Sequence, residues 1–154
     1  MKLAEALQER ADLNIRIKQL ERRMCNNALV QEGESPTEDP EALRRELDDC
    51  ILRLAYLVSC INLTNCRTVA EGKTLTEMIA RKDALTLKIS VYRNLINTAG
   101  NTTYRARGSE IRILATVPVA TLQKQVDRMA KELRMLDNLL QETNWTTVLI
   151  EETE

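Results

Sequence analysis

The sequence predicts a mainly α protein: an elongated bundle of four long helices, with a small β-hairpin or strand appendage between helices three and four. Three observations carry that prediction. Leu, Glu, Arg, Ala and Lys occur 22, 16, 15, 14 and 7 times, together 74 of 154 residues, which is the composition of long packed helices. The glycines and prolines (Gly33, Pro36, Pro40, Gly72, Gly100, Gly108 and Pro118) divide the chain into segments of helical length. Within those segments apolar residues recur at heptad spacing. A length of 154 residues fits one domain.

The first helix is expected over residues 2–29, with the seam Leu3, Ala6, Arg10, Leu13, Ile17, Leu20 and Met24. An acidic loop follows. Asp39 is a good N-cap, and Pro40 suits a first helical turn, where its missing N–H has no helical partner. The second helix, 40–65, carries Leu43, Leu47, Cys50, Leu54, Leu57, Ile61 and Thr64, with Ile51, Leu52, Ala55, Val58 and Leu63 on other faces. A helix apolar on several faces is expected at the centre of its fold. The third, 74–99, opens with the capping box Thr74-Leu-Thr-Glu77 and runs through Leu75, Met78, Lys82, Leu85, Ile89, Tyr92 and Ile96. Residues 103–117 behave differently: Ile111, Ile113, Ala115 and Val117 alternate with Glu110, Arg112, Leu114 and Thr116, the period of a half-buried strand. The fourth helix, 118–143, has an unbroken seam of Val119, Leu122, Val126, Met129, Leu133, Leu136 and Leu140. The β-prone stretch 145–150 is expected to pair with the strand at 110–117. Each helix is roughly 35–40 Å long at 1.5 Å per residue.

Composition also excludes chemistry. There is no histidine, which removes Ser-His and Cys-His nucleophile schemes and imidazole metal sites. No phosphate-cradling glycine loop or metal-ligand spacing is present, so no catalytic residue, metal or cofactor is assigned and the chain is read as a non-enzyme. Cys25, Cys50, Cys60 and Cys66 lack a Cys-x-x-Cys pattern and read as small apolar residues in a reducing cytoplasm; Cys66, beside Arg67, is the thiol with a route to a lowered pKa. The N-terminus reads as a charged amphipathic helix rather than a signal peptide, and the most apolar window, Cys50 to Leu63, is too short to span a bilayer. Asn62, Asn101 and Asn144 head Asn-x-Thr triplets, read as chance in a cytoplasmic chain.

Several stretches together resemble a family of small bacterial helical proteins of unknown function labelled septicolysin-like. They are Glu9-Arg-Ala-Asp-Leu-Asn14, Gln31-Glu-Gly-Glu34, Ile61-Asn-Leu-Thr-Asn65, Ser109-Glu-Ile-Arg112 and Leu122-Gln-Lys-Gln-Val-Asp127. The likeness covers almost the whole chain in order. It implies a bacterial cytoplasmic helical protein and supplies no catalytic residues. The lytic activity in the label is not carried over, because neither a secretion signal nor a membrane-spanning segment is read in the sequence.

Charge is unevenly placed. Residues 31–50 hold eight acids against Arg44 and Arg45, and residues 81–112 hold seven bases against Asp83 and Glu110. Two readings follow. In the favoured one the acidic loop meets the basic region, within or between protomers, with Arg112 paired to a carboxylate among Glu32 to Asp49. In the other, Arg105, Arg107 and Arg112 bind an external anion or nucleic acid, and Tyr104 stacks a base. A second constellation is polar: Asn62, Asn65, Arg81 and Lys82 line a pocket, or else set helix register. The leading function is a self-associating scaffold or interaction module, a homo-oligomer with neither a membrane partner nor a small-molecule substrate. Anion or nucleic-acid binding through the three arginines is the alternative.

Overall fold

The computed structural model describes residues 1–101 and 111–151. Four helices are present: α1 (Leu3–Asn26), α2 (Pro40–Arg67), α3 (Leu75–Gly100) and α4 (Val119–Thr146). Two short strands, β1 (Val69–Ala70) and β2 (Lys73–Thr74), form one two-stranded sheet. The chain divides into two compact units, a terminal unit of Met1–Ala70 with Thr143–Glu154, and a central unit of Glu71–Glu142.

In the terminal unit α1 and α2 pack together with their sequence directions opposed. Leu20, Leu43 and Cys50 form a buried cluster, against which Leu13, Ile17, Met24 and Leu47 pack. These are the predicted seam positions of both helices. Further along α2, Leu57, Cys60, Ile61 and Thr64 are also buried. Three ion pairs run beside this core: Glu9 with Arg53, Arg16 with Glu46, and Arg23 with Glu38. On α1 they fall seven residues apart, one per heptad, so a single helix edge carries all three.

Asn27 ends α1 three residues before the expected boundary. Its amide N–H donates to the Arg23 carbonyl at 2.9 Å and its carbonyl oxygen accepts the Glu38 N–H at 3.0 Å. One side chain thus closes a helix and anchors the acidic loop. Asp39 accepts the Glu41 N–H at 3.1 Å, as the N-cap expectation requires.

The small sheet lies between α2 and α3, a correction to its expected position between helices three and four. Its turn is Glu71-Gly72, with φ of 50° and 78°, and two successive left-handed residues give the tight turn whose twist suits a hairpin. Residues 102–110, which include most of the first expected strand, lie outside the described residues. Residues 111–117 form no strand among the described residues, and Ile111 and Leu114 are 74% and 75% exposed. Alternation supplies one face of a strand; a ladder also needs a neighbouring backbone, and among the described residues none pairs with this one.

The tail finds a different partner from the one expected. α4 continues to Thr146, and Val148 then bridges to Lys2 in antiparallel fashion. The Leu3 N–H donates to the Thr147 carbonyl and the Leu149 N–H to the Met1 carbonyl, both at 3.0 Å. The first donor would otherwise be one of the unpaired groups opening α1. Leu149 is buried, and the Ile150 N–H donates at 2.9 Å to the hydroxyl of the fully buried Thr64, which itself donates to the Cys60 carbonyl at 2.7 Å.

In the central unit α3 begins at the predicted capping box. The Glu77 N–H donates to the Thr74 hydroxyl at 3.2 Å and the Glu77 carboxylate accepts the Thr74 N–H at 2.7 Å. Helix α3 buries Leu75, Met78, Leu85 and Ile89; α4 buries Val126 and Leu140.

Two substitutions test these contacts. Thr64→Val removes the acceptor for Ile150 while keeping the volume, and a half-buried donor left unpaired costs about 1–2 kcal/mol. Urea denaturation should show that loss, and amide exchange should show Ile150 losing protection ahead of the Leu20 region. Thr74→Ala should cost about 1 kcal/mol through the lost cap, read the same way.

Candidate functional site

The arginine cluster expected to bind an anion is only partly described. Tyr104, Arg105 and Arg107 lie outside the described residues. Arg112 is exposed and forms no ion pair among the described residues. Of the eight acids expected to receive it, four have local partners: Glu38 and Glu46 pair with arginines of α1, Glu41 pairs with Arg44, and Asp39 caps α2. Pairing within the helical hairpin, set by the seven-residue spacing on α1, takes up part of the acidic block.

The four residues of the expected polar pocket are placed as follows. On α2, Asn62 is exposed and Asn65 half-buried. On α3, Arg81 binds Glu132 and Lys82 binds Asp137, joining that helix to α4. Lys82 lines a shallow groove of about 390 Å³ with Ile89, Arg93, Ala130, Leu133, Arg134 and Asp137. Its floor is apolar. Arg93 and Arg134 form no ion pair among the described residues, so the groove carries two uncompensated cations. Among the described residues no cluster of Cys, Asp or Glu is arranged to hold a metal. None of the four cysteines forms a disulfide; Cys50 and Cys60 are buried, whereas Cys25 and Cys66 are exposed.

The feature that sequence reasoning passed over is the outer face of α3. At 100° per residue the buried residues Met78, Leu85 and Ile89 share one side. Ala80, Ala84, Leu87, Val91 and Leu95 lie on the opposite side at steps of four, three, four and four residues. Leu87 is 67% exposed, Val91 53% and Leu95 40%. This is a second apolar stripe at helical spacing, whose far end, Leu95, borders a small cavity with Ile113 to Val117. Its signal was in the sequence, masked by the first seam on the same helix. A smaller apolar row stands on α2, where Leu52 is 70% and Tyr56 39% exposed, next to the acids Asp48 and Asp49.

Electrostatics separates the two units. The terminal unit holds ten Lys and Arg against fifteen Asp and Glu; the central unit holds twelve against eight. Their formal charges are −5 and +4, which sum to the chain's −1. The Arg53 guanidinium grips Glu9 with two hydrogen bonds, of 2.6 and 2.9 Å, and holds its carboxyl below the usual range. Arg23 lowers Glu38 and Arg44 lowers Glu41 in the same way, and Glu77 is lowered by the Thr74 N–H of the capping box.

Residues 10–149 match a family of unknown function, DUF6847. A crystal structure described as a functionally unknown conserved protein from Corynebacterium diphtheriae is similar, with 37% sequence identity and a TM-score of 0.91 over 97% of this chain and 99% of that one. No curated protein matches. The septicolysin label appears in neither similarity, and none of the described helices is long and apolar enough to cross a membrane.

The lowered carboxyls set the sign of the acid response. Their stabilisation is complete above the unfolded value of about 4.3 and disappears as pH falls through the lower folded values. Urea midpoints should therefore hold from pH 7 to about 5 and fall below about 4. Glu9→Gln should lower stability at pH 7 by no more than about 1 kcal/mol, since the pair is one-third exposed or more. It should also shrink the loss on acidification.

Proposed function

The chain belongs to this family of unknown function, and we propose that it acts as a self-associating helical interaction module rather than as an enzyme. The observation that carries this reading is the outer stripe of α3, where Leu87, Val91 and Leu95 stand exposed at four-residue steps, on the side away from the buried face. Scattered apolar residues on a surface need no explanation, but an ordered row at the period of a helix pair is the pattern of a partner surface. The row commits α3 to a further helix, and covering a leucine-sized side chain contributes roughly 1.5–3 kcal/mol. Free cysteines accord with a reducing cytoplasm as its place of work. The reading assigns no lytic activity, metal, cofactor or small-molecule substrate.

Anion or nucleic-acid binding through Arg105, Arg107 and Arg112 remains the second reading. It is favoured by Arg112 and by the two arginines of the α3–α4 groove, none of which forms an ion pair among the described residues. It predicts retention on polyphosphate or RNA that falls steeply with salt.

Sedimentation velocity tests the leading reading. The wild-type chain should be oligomeric at micromolar concentration, and Leu87→Asp with Val91→Asp should be monomeric with unchanged helix content. A wild-type monomer at about 100 μM, a concentration at which weak self-association is populated, overturns it.

A further inference from the structure

We infer that the outer stripe of α3 docks on the acid-headed row of α2 in a second copy of this chain, so that the central unit of one protomer meets the terminal unit of another. This rests on the self-association reading and names the two faces that meet. The stripe by itself does not choose its partner; charge does. With formal charges of +4 on the central unit and −5 on the terminal unit, contact between like units of two copies brings like charges together, whereas contact between unlike units brings opposite charges together. Like-charge juxtaposition suppresses a contact and complementarity steers it.

The local chemistry agrees with the net charge. Lys88 stands at the edge of the α3 stripe, with its ammonium 5.5 Å from the centre of the Tyr92 ring and no ion pair among the described residues. Asp49 stands beside the α2 row and also forms no ion pair among the described residues. The cation nearest that row, Arg53, is already held by Glu9 while lying 5.6 Å from the Tyr56 ring centre, so it does not offset the acids. Spacing matches as well. Lys88, Val91 and Leu95 are separated by three and then four residues, and so are Asp49, Leu52 and Tyr56. When the two rows interdigitate running the same way, Val91 packs by Leu52, Leu95 by Tyr56, and Lys88 faces Asp49. Each copy carries both faces, so each can give and receive this contact.

A charge swap in the full-length chain tests the assignment. Lys88→Glu alone and Asp49→Lys alone should each weaken self-association about tenfold, by placing like charges in the contact. An equimolar mixture of the two variants should return to wild-type affinity. In the mixed assembly one contact is native and the other carries the same pair reversed. Raising NaCl from about 50 to about 500 mM, which shortens the screening length, should weaken the wild-type assembly. If Lys88→Glu tightens association, α3 is packing on α3 and the inference is wrong. If both variants associate like the wild type while Leu87→Asp with Val91→Asp is monomeric, self-association stands and this pairing of faces falls. A mixture that stays weak likewise overturns it.

Discussion

A helix paired with one neighbour covers one side, and α2 and α3 are each apolar on more than one. That constraint governs the protein. On α2, eleven of the fourteen residues from Cys50 to Leu63 are apolar, more than α1 conceals along its single line of contact. The antiparallel register of α1 on α2, fixed by the Leu20–Leu43–Cys50 cluster and bordered by three ion pairs, decides which side of α2 turns inward. Leu52 and Tyr56 are what that choice leaves out. On α3 the same arithmetic leaves Leu87, Val91 and Leu95 outside. The central position expected for a many-sided helix such as α2 is thus only partly realised within one chain.

The ion pairs take up part of the acidic segment within its own hairpin. Arg16 and Arg23 compensate Glu46 and Glu38 at short range within the hairpin. They leave Asp48 and Asp49 on the far side of α2, without ion pairs among the described residues. The net charge of −1 therefore hides two units of opposite sign.

Local signals made the helices legible in the sequence. Heptad seams, the Asp39-Pro40 start and the Thr74–Glu77 capping box each act over a few residues, and helix boundaries fell within one to three positions of those expected. What failed to be legible was pairing. Alternation at 111–117 gave a strand its face but no neighbour, and the tail at 147–149 chose Met1–Leu3, more than 140 residues away in sequence. Two-residue strands at 69–70 and 73–74 carry no periodicity to detect, since one alternation is not a pattern. For the candidate site, the two charge blocks were visible, but their local compensation was not. The outer stripe of α3 was fully written in Ala80, Ala84, Leu87, Val91 and Leu95; periodicity reports that a helix has two apolar sides without saying which one stays outside.

The clasp between the two ends has a consequence for how the molecule is made. The Leu3 N–H waits for the Thr147 carbonyl, and the Thr64 hydroxyl for the Ile150 N–H. During vectorial synthesis α1 and α2 emerge early and collapse on each other, because their contacts are close in sequence. The terminal unit nevertheless cannot be finished until residue 150 has left the ribosome, and in the meantime the whole central unit is translated and free to fold. A segment synthesised after the central unit completes the terminal one, so a chain cut just after Thr146 holds a finished central unit beside an unfinished terminal one.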